Sequence, residues 1–591
     1  MELTLFLGLA VAVMLLAVAA ALAVTIKKGS KRLLTPVNVI FVGIAVSGLL
    51  LYSPIYYIQQ PDGPFRILKA LMLSAYSTIR MFMGDGDYSV VLEQLGSTEI
   101  ASYYMVLPLI LQVVAPVLTI SAILSFFLNM SSRLRYLGCY FREVYIFSDL
   151  NESALLLARD LKKSHPKAAI VFTAGEASDD SNPGELQEDA TAMGAIVFRR
   201  DLPDVDFSRH SPHRSLWFFA IGEEESQNVS LGLHILNCYS RRDLTNLYVF
   251  SSSLESEILF SAFRDTKIKL RRINPVRSLI YRNLYDEGAD LFRNALPQAD
   301  GENQITAVIV GLGDYGTNMV QALTWFCQMD GYRLHIHAFD ADPMAEDKFA
   351  AKCPELMSSA YNGIILPEEA VYTIQIHSGI QVETKTFADH IMALNKATFA
   401  LVALSSDEQN IETAVQLRTL FERIGAKPDI YAIVHNNEKK AAMDNLRNFR
   451  QQPYRIRCIG DLESTCTENV VIDSEIEADA LRRHLRYGSE PDFWAYEYNY
   501  RSSMALAIAA KLRRDLGFPS DDSNLSVGER TTIEAMEHRR WNAYMRSEGY
   551  IFSGSTDKSS RNDLGKMHND LTDYFALSEE EKRKDSVVIL N

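Results

Sequence analysis

At 591 residues, 48% of them hydrophobic, with a formal net charge of -15, the chain is too long for one core and too acidic for a nucleic-acid-coating surface. Ordinary domain sizes imply about three to four domains. Six cysteines (Cys139, Cys238, Cys327, Cys353, Cys458 and Cys466) stand without a CxxC pair or metal spacing, which predicts no zinc or other metal site, no disulfides and a reducing cytoplasm.

The first quarter contains three apolar runs, 3–26, 37–57 and 104–128, each near the roughly 20 residues a bilayer demands. The first opens on Glu2 and has no basic leader, so it reads as an anchor rather than a cleaved signal. Lys27, Lys28, Lys31 and Arg32 follow that run, and Arg133, Arg135 and Arg142 follow the third. Basic flanks favour the cytoplasmic side, which puts the N-terminus and 58–102 outside and everything beyond about residue 130 inside. Within the outer segment, 65–83 is amphipathic and carries Arg66, Lys69 and Arg80. Such a stretch lies on the interface or dips in as a re-entrant helix. The "GDGDY" after it places Asp85 and Asp87 either at a pore mouth, where carboxylates concentrate cations, or in an exposed Asp/Gly turn.

Beyond the third run, short Val/Ile/Phe-rich strands alternate with helical stretches, the pattern of a parallel sheet with crossover helices. "EVYIFSD", "AAIVFTA", "AIVFRRD", "SLWFFAIG", "NLYVFSSS" and "IKLRRINP" form one succession within 143–300. "ITAVIVGLG", "RLHIHAFDAD", "VYTIQIHSG", "FALVALSSD", "PDIYAIVHN" and "YRIRCIGD" repeat it within 301–488. Superposing the two starts puts Ser148, Leu150 and Ser153 where Gly311, Gly313 and Gly316 stand. A side chain at Leu150 obstructs close approach to a pyrophosphate, so only the second copy is predicted to hold a nucleotide. Its candidates are Gly311, Gly313, Asp314, Tyr315 and Gly316 in the turn, and Asp340 at the end of the next strand as the ribose acceptor. His335 and His337 on that strand read as sheet residues rather than catalysts.

Three apolar spans followed by two such units, with "GLGDYG" and "FDAD" in the second, resemble the regulator-of-potassium-conductance (TrkA-N) domains of gated channels and transporters. The resemblance implies Rossmann-like domains arranged as a ring, in which ligand binding moves the membrane part. No TVGYG-like filter occurs, so potassium selectivity is not implied.

A helical connector, 489–526, leads to the tail. Just before it, Arg482, Arg483, His484 and Arg486 read either as a phosphate patch or as a solvated helix face. In the tail, 527–591, the spacing of Glu537, His538, Trp541, Gly549, Tyr550, His568, Leu571, Tyr574, Leu577, Lys582 and Asp585 resembles the ryanodine-receptor repeat domain. Asn569 and Asp573 stand where that family commonly has proline. His538 and Trp541, three apart, share a helix face and can stack on a base and bind its edge, or be core. His538, Trp541, Tyr550, His568 and Tyr574 are the pocket candidates. Ser578 and Glu581 suggest a capping box.

The expected architecture is therefore multi-domain: N-terminal transmembrane helices (1–130), two Rossmann-like α/β parallel-sheet domains, and a small, mainly α tail. The domain combination resembles bacterial anti-phage effectors. It implies an inner-membrane channel, a homo-oligomer with a tetramer as the natural guess, and no enzyme. The implied cofactor is a mono-, di- or oligonucleotide ligand of unknown identity, a messenger made by a partner nucleotidyltransferase-type enzyme. The alternatives are a membrane-anchored enzyme that turns over a dinucleotide such as NAD, and a non-conducting nucleotide-sensing scaffold.

Overall fold

The computed structural model describes residues 2–28, 34–85, 88–95, 99–174, 183–261, 263, 266–357, 360–361, 364–365, 371–472, 474–518 and 525–586. Lys31, Arg32 and Asp87 lie outside them. The chain forms two compact units: one made of residues 1–144, 148–150 and 169–211, the other of 145–147, 151–168 and 212–591.

In the first unit the three apolar runs fall within helices Glu2–Lys28, Leu34–Gln59 and Glu99–Leu137, and the amphipathic stretch is the helix Arg66–Phe82. Among the described residues, one segment, Ile40–Gln59, is long and apolar enough to cross a membrane. Leu5–Ala19 and Val106–Ile120 are shorter apolar stretches.

These helices pack through small and hydroxyl side chains. A Cβ on Gly43 would stand 2.4 Å from that of Ala17, and one on Gly48 2.9 Å from Thr78 Cγ2. Ser47, Ser74, Ser77 and Thr78 are buried, with Ser47 Oγ donating to the Ala10 carbonyl and Ser77 Oγ 2.6 Å from the Tyr56 hydroxyl. Large apolar side chains stand on both sides: Ile44, Leu51, Ile55, Met81 and Leu111 are buried between the helices, while Leu15, Leu16, Ile67, Leu71, Met72, Ile79, Val113 and Val117 are exposed. The amphipathic helix is thus turned with its hydroxyl face toward its neighbours.

The twelve strands expected from the sequence all form. The first sheet contains β1 (Val144–Phe147), β2 (Ala169–Thr173), β3 (Ile196–Phe198), β4 (Leu216–Ala220), β5 (Thr245–Phe250) and β6 (Lys269–Ile273), in the order β3-β2-β1-β4-β5-β6. The second contains β7 (Asn303–Val310), β8 (Tyr332–Asp340), β9 (Tyr372–Ser378), β10 (Phe399–Val402), β11 (Asp429–Ile433) and β12 (Ile456–Ile459), in the order β9-β8-β7-β10-β11-β12. Both orders are the doubly wound 3-2-1-4-5-6 arrangement, and β7 to β12 pair in parallel throughout. Helices on both faces explain why the central strands are continuous apolar runs rather than alternating ones.

The repeat extends to a polar clamp. Asn228, in the helix after β4, accepts from the Gly222 N–H (2.6 Å) and donates to the Gly222 and Phe250 carbonyls. Asn410, after β10, does the same with Leu404 (2.6 Å) and the Leu404 and Ile433 carbonyls. Each ties one strand end to the next, satisfying backbone groups that the sheet leaves over. The shared dipeptides Gln227-Asn228 and Gln409-Asn410 are the sequence trace of this device.

The second sheet, the connector and the tail share one hydrophobic core. It runs from Ile280 through Trp325, Ile476, Ala505, Met536 and Tyr544 to Leu571. Trp325 is 1% exposed and meets Tyr544 edge to face at 6.2 Å. The main tail helix, Val527–Ser547, starts at a reciprocal capping box between Ser526 and Glu529. At the last helix, Ser578 Oγ accepts from the Glu581 N–H (3.3 Å), while the Glu581 carboxylate pairs with Lys558 and Lys584 instead. Asp573, at one of the positions where the resembling family commonly has proline, caps the turn Tyr574–Ala576 by accepting from the Phe575 N–H.

Candidate functional site

The glycine turn after β7 has the division of labour a dinucleotide loop requires. Gly311 sits at φ +90, and a Cβ there would lie 2.3 Å from the Ala403 carbonyl oxygen. A Cβ on Gly316 would lie 1.8 Å from the Gly311 oxygen. These two close the turn and bring helix to strand. Gly313 has nothing within 4 Å of its would-be Cβ, so its face opens to free space. It N-caps Asp314–Phe326 with no side-chain hydrogen bond, leaving the first-turn N–H groups for an anion. Asp314 is exposed, and the half-buried Tyr315 ring lies 5.8 Å from His435. His435 Nδ1 lies 2.8 Å from the Gly460 carbonyl, to which it donates.

Asp340 holds the loop itself. Its Oδ2 accepts from the Leu312 N–H at 2.6 Å, and its Oδ1 from the Asp342 N–H at 2.8 Å. A carboxylate oxygen retains a second lone pair for a ribose hydroxyl, but both oxygens are already engaged by backbone. His335 pairs with Thr373 and His337 with His377 across the β8–β9 edge. Burial lowers the pKa of each, and that of His377 to about 4, which makes them neutral sheet residues near pH 7. Among the described residues no His/Cys/Asp/Glu group is placed to hold a metal, and all six cysteines are free thiols. Asp85 pairs with Arg80 at 2.6 Å.

The second site lies where the tail meets the connector, a cavity of about 390 Å³. It brings together three of the five tail candidates, His538, Trp541 and His568. The His538 ring stacks on Trp541 at 5.6 Å, and His568 meets the indole edge-on at 5.1 Å. His538 is buried, with Nε2 3.0 Å from the Thr572 carbonyl and Nδ1 3.1 Å from Asp585. It fastens the last helix to the main one. Tyr574 donates to Glu534 at 2.6 Å, and the Tyr550 ring lies 6.0 Å from Tyr498; both brace the fold around the cavity.

Residues that spacing did not single out complete the wall. Arg540 grips Glu537 through Nε and Nη2, while its Nη1 is buried without a hydrogen-bond partner. Asp570 has its pKa raised to about 6, by burial first and by the nearby Glu581 charge. His568 Nδ1 accepts from the Asp570 N–H (3.1 Å), and burial depresses this histidine to about 4, so the neutral ring carries its proton on Nε2. The connector contributes Tyr487, Asp492, Tyr498 and Asn499. The basic cluster before it divides: Arg483 and His484 are buried, and Arg482 and Arg483 both pair with Asp479.

From the tail an ionic network reaches back to the first sheet. Arg501 contacts Glu548 (2.9 Å), Glu257 (3.1 Å) and Glu497 (3.3 Å). Arg272 on β6 meets the same Glu257 and Glu497, and Arg277 meets Glu548 at 3.5 Å. Three guanidinium groups thus face three carboxylates.

No protein-family model matches the chain, and no curated protein does. Among solved structures it is similar to a mutant of the Thermobaculum terrenum O-GlcNAc transferase, at 12% identity over 86% of this chain and 99% of that one. The TM-score is 0.16, too low to support any inference about fold or activity.

Proposed function

We propose that the protein is an oligomeric membrane channel or pore, gated by a nucleotide-derived ligand held by its Rossmann-like and tail regions on the cytoplasmic side. The observation that carries the membrane part is the apolar outer surface of the N-terminal helices, which have an apolar core as well. Soluble proteins seldom expose a contiguous apolar surface larger than a few hundred Å². Here Ile67, Leu71, Met72, Ile79, Val113 and Val117 are all turned outward, while Ser47, Ser74, Ser77 and Thr78 are buried. In lipid this is the favourable arrangement, because small and hydroxyl residues let helices approach and large apolar ones face the tails.

The intact glycine turn supports the nucleotide part, and the network from Glu548 to Arg272 supplies a contiguous connection from the tail to the first sheet. The resemblances to TrkA-N units and the ryanodine-receptor repeat favour gating over turnover, a tetramer among symmetric assemblies, and a role in bacterial anti-phage defence. Few helices per chain cannot enclose a wide pore, so conduction requires several copies.

Reconstitution into liposomes tests the reading. Ion flux that changes on adding nucleotide, without nucleotide consumption, is the expected result. Consumption without flux would make the protein a membrane-anchored enzyme, and neither would make it a scaffold. Orientation is read separately by labelling Lys28→Cys and Ser97→Cys from outside intact cells. Reagent should attach only at position 97, and attachment at position 28 alone would invert the topology.

A further inference from the structure

We infer that the cavity between tail and connector is a purine-nucleotide site: the base lies on Trp541 and the phosphate rests against Arg561 and Lys584 at the mouth. This deepens the ligand-gating reading above and rests on it for its regulatory meaning, but it stands on the cavity's own chemistry.

The wall has a depth gradient. Side chains of Arg540 (3% exposed), His538 (4%) and His568 (5%) are enclosed, whereas Arg561 (41%) and Lys584 (56%) reach solvent. The rim cations are themselves in ion pairs, Arg561 Nε with Asp563 at 2.8 Å and Lys584 with Glu581, and a ligand with a flat ring at one end and a negative charge at the other would set its ring on the enclosed aromatic surface and its charge against these cations. Cavities that bury small ligands begin at roughly 300 Å³, and a volume of about 390 Å³ accommodates one mononucleotide but not a whole dinucleotide.

The wall also offers both hydrogen-bond senses. Arg540 Nη1 is an unpaired buried donor, and the His568 tautomer fixed by the Asp570 N–H leaves Nε2–H as another. Asp570 supplies an acceptor: one oxygen takes the Asn569 amide at 2.6 Å and keeps a second lone pair, while the carboxyl also shares a hydrogen bond with Glu581. A base edge presents ring-nitrogen acceptors beside an amino or amide donor, which matches this set, and a purine's two fused rings stack over more of the Trp541 face than a pyrimidine's one. Three other wall carboxylates have cationic partners, Glu537 in Arg513 and Arg540, Glu581 in Lys558 and Lys584, and Asp585 in His538, while Asp492 accepts from the Ser489 hydroxyl. Those three therefore repel a phosphate less than free charges would.

Equilibrium binding of AMP, GMP, CMP and ribose 5-phosphate to the full chain tests the assignment, using the natural chain and a Gly313→Val background that removes the glycine-loop site. The expected result is one AMP or GMP per chain in the Gly313→Val background. Arg561→Glu and Arg561→Ala should weaken that binding by about tenfold or more, with unchanged melting temperature. No purine binding up to about 1 mM in that background would overturn the proposal, as would equal affinity for ribose 5-phosphate or CMP, or indifference to Arg561. Binding as expected with no ion flux would remove the channel reading and leave this site standing.

Discussion

Glu548 is the position at which a single atom change should report most clearly on how the tail is fastened. Its carboxylate faces Arg501 and Arg277 and is 17% exposed. Burial by itself would raise its pKa, but the two guanidinium groups outweigh that and hold it at about 2, from an ordinary 4.5. A shift of that size corresponds to about 3 kcal/mol of stability. Because the folded pKa is depressed, this contribution is complete above the unfolded value and disappears as pH falls from 4.5 toward 2. Breaking a buried pair from one side costs about 3–5 kcal/mol by comparison with other proteins. The two routes agree, and Glu548→Gln should lower the unfolding free energy at pH 7 by about 3 kcal/mol. Adding Arg501→Gln leaves Arg272 and Arg277 facing Glu257 and Glu497, a neutral set. The double variant should therefore be more stable than the sum of the single losses by about 2 kcal/mol. Urea unfolding of the purified chain, followed by tryptophan fluorescence, measures all three. A single-variant loss below about 1 kcal/mol, or simple additivity, would refute the reasoning.

Gly316→Ala should collapse the turn after β7, since its Cβ would lie 1.8 Å from the Gly311 oxygen; Gly313→Val should fold normally, and melting curves of the two distinguish space reserved for a ligand from space the fold needs. Trp325→Ala should cost about 3–5 kcal/mol in urea unfolding, because it opens a cavity in the core shared by the second sheet and the tail. His568, held at about 4 against an ordinary 6.5, contributes stability that is complete above pH 6.5 and lost as pH falls toward 4. The advantage of the natural chain over His568→Gln should accordingly shrink by up to about 3 kcal/mol across that window, and a constant difference would contradict the burial argument.

Local chemistry in the chain by itself determined the strands, the repeat and the glycine turn. Alternating apolar runs and helices dictate parallel strands, and a glycine is needed wherever φ is positive or a Cβ would strike backbone, as at Gly311 and Gly316. That His538 and Trp541 share a helix face also followed from their spacing of three, whereas their stacking on each other did not. What spacing could not decide was which groups are spent on structure. Asp340 is drawn to its own loop by the Leu312 N–H, His538 to Thr572 and Asp585, and Arg483 to Asp479, because a buried polar group must find a partner and the nearest one lies far away in sequence. The cavity wall was hidden for the same reason. Arg540, Asp570, Tyr498 and Lys584 come from four separate segments, and only the packing of connector against tail brings them around one space.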